Sequence, residues 1–154
     1  NEQKLKLLFY PPHTEIRKYL DLFSVSDKSH VEIVDTNEKT VQEAILESKM
    51  MITDYSSVAF DFAFLHKPVL YFHFDYQAYR ANHYQQGYFE YKKDGFGPIF
   101  ETTEAVVEEI KKASKNKFKL SNKYLDRIDR TFDLFDDHNS ERLFLVLKKE
   151  ATKL

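Results

Sequence analysis

The feature that most restricts the fold is the alternation of short apolar runs with amphipathic stretches along the first half of the chain. The apolar runs are typical of buried β-strands, which we predict over residues 5–10, 31–34, 50–53, 69–72 and, more briefly, 98–100. The first four recur at spacings of about 20 residues, as expected for a strand followed by a helix. The sequence therefore predicts an α/β domain with a parallel sheet flanked by helices.

Helical periodicity predicts the elements between and after the strands. Ile16, Tyr19, Leu20 and Phe23 share one helical face, and Thr40 with Glu43 has the spacing of a capping box that starts a second helix. Further helices are predicted over 58–65, 103–113, 119–135 and 140–150, the last capped by Asn139 or Ser140. Periodicity is lost over 74–97, which predicts a long loop, and long ordered loops in compact domains are more often functional than decorative.

Composition excludes several classes of protein. The chain has no cysteine, which excludes disulfide scaffolds, thiolate zinc sites and cysteine nucleophiles. Its 3 glycines, Gly87, Gly95 and Gly97, all lie in the predicted loop, so no glycine-rich phosphate loop exists elsewhere. The net charge of −2 provides no field for nucleic acid, and no apolar run approaches the roughly 20 residues that span a bilayer. We therefore expect no nucleic-acid partner and no transmembrane segment.

The strongest candidate site follows the third predicted strand, where Thr53, Asp54, Tyr55, Ser56 and Ser57 lead into a helix. Ligands of parallel α/β sheets bind at the carboxyl ends of the strands. Hydroxyl groups and unpaired backbone N–H groups at a helix start suit an anion. This turn is therefore interpreted as a phosphate site built from serine instead of glycine. The alternative is that Asp54 or Ser56 simply caps the helix, and the spacing leaves both open.

Other candidates are weaker on position alone. His13 follows the first strand, where it could bind a phosphate oxygen or pass a proton to a leaving group, or simply lie on the surface. The predicted loop carries Asp75, Tyr79 and Arg80, which could close over a nucleotide or only pin the loop. Asp61 lies in an apolar helical run, so its carboxylate should be paired, capping or functional. The 6 histidines lack zinc-binding spacing, so we expect no metal and no cofactor.

Read together, these residues resemble a known family. The segments ITDYSSVAFDF (52–62), KPVLYF (67–72), Phe74-Asp75 with Tyr79, Gly87-Tyr88 and Gly97-Pro98 are similar to the CDP-glycerol glycerophosphotransferases, which make teichoic acid chains and related capsule polymers. The resemblance covers essentially the whole chain, including a closing segment over 136–142. It implies the C-terminal, Rossmann-like half of a GT-B fold. Residues 1–154 would then form a single nucleotide-donor-binding domain, a fragment of a longer protein whose N-terminal acceptor domain is missing.

The resemblance also implies a role for each candidate residue. Ser56 and Ser57 would hold the donor pyrophosphate, with Thr53 and Asp54 shaping the turn. His13 would be catalytic, stabilising phosphate charge or the departing CMP. Further donor-binding candidates that the resemblance suggests are Asp61, Asp75, Tyr79, Arg80, Gly97, Ser140 and Arg142.

The implied activity is transfer of a polyol phosphate from a CDP-polyol donor, CDP-glycerol first, to a growing teichoic-acid-like or capsular polymer. It would take place in the cytoplasm at the inner face of the plasma membrane, and the isolated domain would be inactive without the acceptor domain. Two alternatives remain open. One is a GT-B glycosyltransferase that uses a nucleotide sugar for capsular polysaccharide. The other is a non-catalytic nucleotide-binding module, which Gln86 in place of a family arginine allows.

Overall fold

Short parallel strands and helices make up the computed structural model, which describes residues 5–11, 18–19, 22–23, 25–26, 28–82 and 87–153. The strands are β1 (Leu7–Phe9), β2 (Val31–Ile33), β3 (Met51–Thr53), β4 (Val69–Phe72) and β5 (Ile99–Phe100). Strand β1 pairs with β2, β4 lies between β3 and β5, and every pairing is parallel. The predicted α/β class is confirmed.

The described helices are α1 (Val41–Glu47), α2 (Val58–Phe64), α3 (Tyr76–Asn82), α4 (Tyr91–Asp94), α5 (Thr103–Lys115), α6 (Asn122–Thr131) and α7 (Asn139–Ala151). The capping box of α1 is confirmed, because Thr40 Oγ1 accepts from Glu43 N at 3.2 Å while Thr40 N donates to the Glu43 carboxylate at 2.7 Å. Half of the residues of the helix predicted along 16–23 lie outside the described residues. Within the described ranges, no helix combines the length and apolar character that crossing a membrane requires.

The prediction of a long loop over 74–97 is wrong, because α3 and α4 lie within that stretch. One face of α3 carries Tyr76, Tyr79 and Arg80, at positions i, i+3 and i+4. Because this face is not purely apolar, apolar periodicity does not reveal the helix. The Tyr79 N–H donates to the Asp75 carbonyl at 2.9 Å and so starts the helix. The short α4 is stabilised by an acidic residue of its own: the Asp94 carboxylate accepts a hydrogen bond from the backbone N–H of the N-cap residue, Glu90, at 2.8 Å.

The two C-terminal helices differ from prediction at their ends. Helix α6 ends at Thr131 rather than at residue 135, because Phe132 turns to extended backbone with φ −117° and ψ 111°. Helix α7 begins one residue earlier than expected, so Asn139 already lies inside it. Its N-cap is His138, whose side chain makes no capping hydrogen bond, and the predicted cap at Asn139 or Ser140 is therefore wrong.

The hydrophobic core lies where α2, β4 and α6 meet. Strand β4 is buried through Val69, Leu70 and Tyr71, and its neighbours in the core include Phe62, Phe96 and Ile128. The Tyr71 hydroxyl accepts a hydrogen bond from Phe96 N at 3.3 Å, and burial raises the pKa of Tyr71 to about 12. The central strand therefore carries a neutral phenol whose polar end is satisfied inside the core.

Gly97 marks a close approach of β4 to the chain that precedes β5. A Cβ atom at this position would overlap the backbone carbonyl of Val69. Gly87, in contrast, has nothing within 4 Å of the place where its Cβ would stand. Gly97 therefore has a packing role that requires the absence of a side chain.

We predict that Gly97→Ala lowers the free energy of unfolding by about 3 kcal/mol, because β4 or the 96–97 turn must move away to admit the methyl group. Gly87→Ala is the matched control and should change it by less than about 0.5 kcal/mol. Urea unfolding followed by circular dichroism measures both. Equal stabilities for the two variants would contradict the close approach.

Candidate functional site at the carboxyl ends of β3 and β4

The serine turn, residues 54–57, connects the buried end of β3 at Thr53 to the start of α2. Two side chains shape it from within. The Asp54 carboxylate accepts from Tyr55 N at 2.6 Å, and Ser56 Oγ accepts from Val58 N at 3.2 Å. Ser57 is the N-cap residue of α2, but its hydroxyl makes no capping hydrogen bond and its side chain is exposed. The turn thus uses Ser56 for structure and presents Ser57 to solvent.

A phenol ties the serine turn to the segment that follows β4. The Tyr55 hydroxyl donates to Asp75 Oδ1 at 2.8 Å, and its ring stacks on Tyr79 with centroids 3.6 Å apart and planes 9° apart. Burial, and then the Asp75 carboxylate, raise the pKa of Tyr55 well above its ordinary value. The phenol therefore stays protonated and remains a donor. Asp75 and Tyr79, predicted as donor-binding residues, are brought beside the serine turn in this way.

His73 lies directly beneath the serine turn and was missed as a site residue by the sequence analysis. It is only 4% exposed, and its Nε2 lies 3.0 Å from the backbone carbonyl oxygen of Asp54. Since a carbonyl oxygen can only accept, Nε2 carries the proton. The imidazole is parallel to the Tyr76 ring, with centroids 5.4 Å apart, and meets the Tyr91 ring edge-on at 4.6 Å. The sequence does contain a signal for this position, because His73 directly follows a buried strand and stands between two aromatic residues.

Arg80 lies in the last turn of α3 and is held by Tyr76. Its Nε donates to the Tyr76 hydroxyl at 3.1 Å, and its guanidinium carbon lies 5.4 Å from the centre of the same ring. The side chain is half-buried, so its direction is fixed by this pair of contacts. Arg80 is the predicted donor-binding residue that brings a positive charge to this part of the molecule.

Asp61, which the sequence predicts to be paired, capping or functional, has an exposed side chain. It lies on α2, one helical turn after Ser57, and it lines a shallow cavity with Phe64, Phe132 and Asn139. Phe60 and Phe64 face the aromatic cluster while Asp61 faces out, so its carboxylate needs no buried partner. Its proposed contact with a donor stays a prediction.

The remaining candidates lie elsewhere. Gly97 is buried beside Val69, at the opposite ends of the strands, and is not brought to the serine turn. Arg142 makes a two-pronged ion pair with Asp136, at 2.8 and 3.2 Å, and this contact lowers the pKa of Asp136; Ser140 is exposed nearby. His13 lies outside the described residues. Within the described part of the chain, no three acidic or histidine side chains are grouped to hold a metal ion.

Comparison with known proteins identifies relatives that match most of this chain. The family model described as CDP-glycerol:poly(glycerophosphate) glycerophosphotransferase matches residues 2–148. The minor teichoic acid biosynthesis protein GgaB of Bacillus subtilis (strain 168) is 35% identical over 150 residues, which is 97% of this chain and 16% of that protein. A teichoic acid poly(glycerol phosphate) polymerase of the same organism is 37% identical over 103 residues, or 67% of this chain and 14% of that protein.

A solved structure supports the fold. The wall teichoic acid polymerase TagF, in a structure of its H444N variant with CDPG, superposes with a TM-score of 0.63 at 23% identity. The match covers 97% of this chain and 43% of that one. This chain therefore spans less than half the length of the proteins it matches.

We predict that His73 makes the stability of the fold depend on pH. Burial lowers the pKa of His73 below its ordinary 6.5, so as pH falls through about 6.5 the unfolded chain takes up a proton before the folded one does. The contribution of the neutral His73 to the free energy of unfolding is therefore complete above that pH and is lost as the pH falls below it. Urea unfolding between about pH 7.5 and 5.5 should show a steeper loss for the wild type than for His73→Gln, by at most about 1.4 kcal/mol per pH unit.

The control for this pH series is His66→Gln, because His66 is an exposed histidine at the far end of α2. It should leave the pH dependence that His73 causes in place. Parallel stability curves for the wild type and His73→Gln would contradict the assignment of a buried, neutral imidazole.

Proposed function

Because this chain belongs to the CDP-glycerol:poly(glycerophosphate) glycerophosphotransferase family, we propose that it binds a CDP-polyol donor, CDP-glycerol first, for transfer of the polyol phosphate to a teichoic-acid-like or capsular polymer. The observation that carries the proposal is the serine turn, which presents the Ser57 hydroxyl at the carboxyl end of β3. That edge of a parallel sheet is where such folds bind ligands.

The proposed donor complex places the pyrophosphate against the serine turn. Ser57 donates its hydroxyl to a phosphate oxygen, and Arg80, held by Tyr76, supplies positive charge from α3. Ser56 contributes indirectly, because its hydroxyl already caps α2. Asp61 follows Ser57 by one turn on α2, and its exposed carboxylate can accept from hydroxyl groups of the donor.

The proposed reaction is an in-line displacement at phosphorus. An acceptor hydroxyl oxygen attacks the β-phosphorus, the new O–P bond forms, and the bond to the CMP oxygen breaks; the hydroxyl proton goes to a base and CMP leaves with the electron pair. Such transfers depend on positioning and on charge neutralisation more than on covalent chemistry. We assign stabilisation of the leaving phosphate to His13. The base and the acceptor polymer are assigned to another part of the longer protein.

The domain and its location follow from the same proposal. Residues 1–154 serve as the donor-binding domain, in the manner of the C-terminal half of a GT-B enzyme. A nucleotide donor and an envelope polymer meet at the cytoplasmic face of the plasma membrane, so we place the protein there. Support comes from the relatives, which are teichoic acid biosynthesis proteins.

Titration calorimetry with the purified chain tests the proposal. We expect CDP-glycerol to bind, CMP to bind more weakly because it lacks the second phosphate, and UDP-GlcNAc not to bind. The affinity for CDP-ribitol, compared with that for CDP-glycerol, shows whether the chain distinguishes the two polyols. Preference for UDP-GlcNAc would favour a glycosyltransferase, and binding of none of the cytidine nucleotides would overturn the proposal.

We predict that the two serines of the turn separate in their effects. Ser57→Ala should weaken CDP-glycerol binding by about 1–3 kcal/mol and leave the free energy of unfolding unchanged, because its hydroxyl bonds the donor and not the helix. Ser56→Ala should lower the free energy of unfolding by about 1 kcal/mol through loss of the cap on Val58 N. Calorimetry and urea unfolding measure the two quantities.

Ser121→Ala is the matched control for both serine variants. Ser121 is also the exposed N-cap residue of a helix and also makes no side-chain capping bond, but it precedes α6 at the other end of the sheet. It should change neither binding nor stability. An unchanged affinity in Ser57→Ala would remove that hydroxyl from the donor site.

A further inference from the structure

The serine turn is held by its own side chains, by the start of α2 and by contacts from the chain after β4. Asp54 accepts from Tyr55 N and Ser56 Oγ accepts from Val58 N, and the Ser56 and Ser57 carbonyls accept from Ala59 N and Phe60 N at 3.4 and 2.9 Å. The external contacts come from the chain after β4: the Tyr55 hydroxyl reaches Asp75, and the Asp54 carbonyl reaches His73. Of the two contacts from the chain after β4, the His73 contact acts on the backbone of the turn. Together with the bond from Tyr55 N to the Asp54 carboxylate, it holds the peptide plane between Asp54 and Tyr55, two residues before Ser57.

The placement of His73 is costly for an imidazole. It is 4% exposed and surrounded by the rings of Tyr55, Tyr71, Tyr76 and Tyr91. Burying a polar ring costs free energy unless the ring makes hydrogen bonds, whereas an apolar aromatic side chain would fill the same space without that cost. What the imidazole adds at this position is the bond from Nε2 to the Asp54 carbonyl, at 3.0 Å.

We infer that His73 is a positioning residue, which orients the serine turn for donor binding through its Nε2–H bond to the Asp54 carbonyl. The effect on donor binding rests on the proposed function, whereas the positioning of the turn is a property of the unliganded chain. His73 is not a catalytic residue. Its Nε2 is already engaged and the ring is closed off from solvent by the serine turn and the tyrosines, so it does not reach a substrate.

His73 can orient the backbone of the serine turn because its own main chain and its imidazole ring are both held in place. The main-chain N–H of His73 donates to the Phe100 carbonyl at 2.8 Å, which continues the pairing of β4 with β5. The ring lies parallel to Tyr76, with an angle of 4° between the planes. Because both the main chain and the ring of His73 are held, the position of Nε2, and with it the Asp54 carbonyl, is set by the pairing of β4 with β5.

The first test uses the wild-type protein without ligand. In ¹⁵N NMR spectra of the imidazole at pH 7, we expect Nε2 to carry the proton and Nδ1 to have the shift of an unprotonated ring nitrogen. A proton on Nδ1, or an averaged signal typical of a solvent-exposed ring, would overturn the inference. This measurement needs no variant and no donor.

The second test compares two replacements of His73. His73→Phe keeps the ring and removes the bond, whereas His73→Gln can place an amide N–H near the position of Nε2. Calorimetry with CDP-glycerol should give a Kd about tenfold higher for the Phe variant, the loss of one good hydrogen bond, and within about threefold of wild type for the Gln variant. His66→Gln, the exposed histidine, is the control and should match the wild type.

Amide hydrogen exchange at Tyr55 and Val58, whose N–H groups donate to the Asp54 and Ser56 side chains of the turn, separates the two proposals when it is measured in the unliganded variants. We expect exchange at these amides to be about tenfold faster in His73→Phe and near wild type in His73→Gln. If the wild type binds no CDP-glycerol, the proposed function fails while the exchange still decides the positioning. If the wild type binds but His73→Phe binds equally well with unchanged exchange, the positioning role fails and the function stands.

Discussion

The pairing of β4 on both of its edges is the constraint on which the rest of the structure depends. Because β3 and β5 occupy those edges, β4 cannot change register without breaking both ladders. Its register determines where the chain leaves the sheet, and His73 and Asp75 are the residues that follow. Gly97 belongs to the same constraint, since the chain before β5 can approach β4 only where no side chain intervenes.

The serine turn differs from a glycine-rich phosphate loop in how its backbone is held. Glycine loops bring bare backbone close to the phosphate and rely on the permissive geometry of that residue. This turn contains no glycine. Its shape comes from the Asp54 and Ser56 side chains within it, from the stacking of Tyr55 on Tyr79, and from the imidazole of His73. Some of the tyrosine and phenylalanine side chains therefore fill the core, and others support this turn.

The parts of this structure that could be predicted are those set by neighbouring residues. Apolar runs predict the strands, and the capping box at Thr40 depends on a spacing of three residues. The parts that could not be predicted depend on contacts between distant residues, such as Tyr55 with Asp75 or His73 with the Asp54 carbonyl. The division of labour between Ser56 and Ser57 is also invisible in the sequence, because it is decided by the backbone angles of the turn.

The charge balance of the proposed site limits what the described residues can do. A bound pyrophosphate diester carries about two negative charges, and phosphate sites offset them with cations and directed N–H or O–H donors. Of the predicted site residues near the serine turn, Ser57 supplies a hydroxyl and Arg80 a guanidinium, while Ser56 is occupied by its cap. Helix α2 has only 7 residues, so its dipole adds little. Productive transfer in this scheme therefore requires further donors, among which we have proposed His13, and the turn that His73 holds would supply one fixed part of that site.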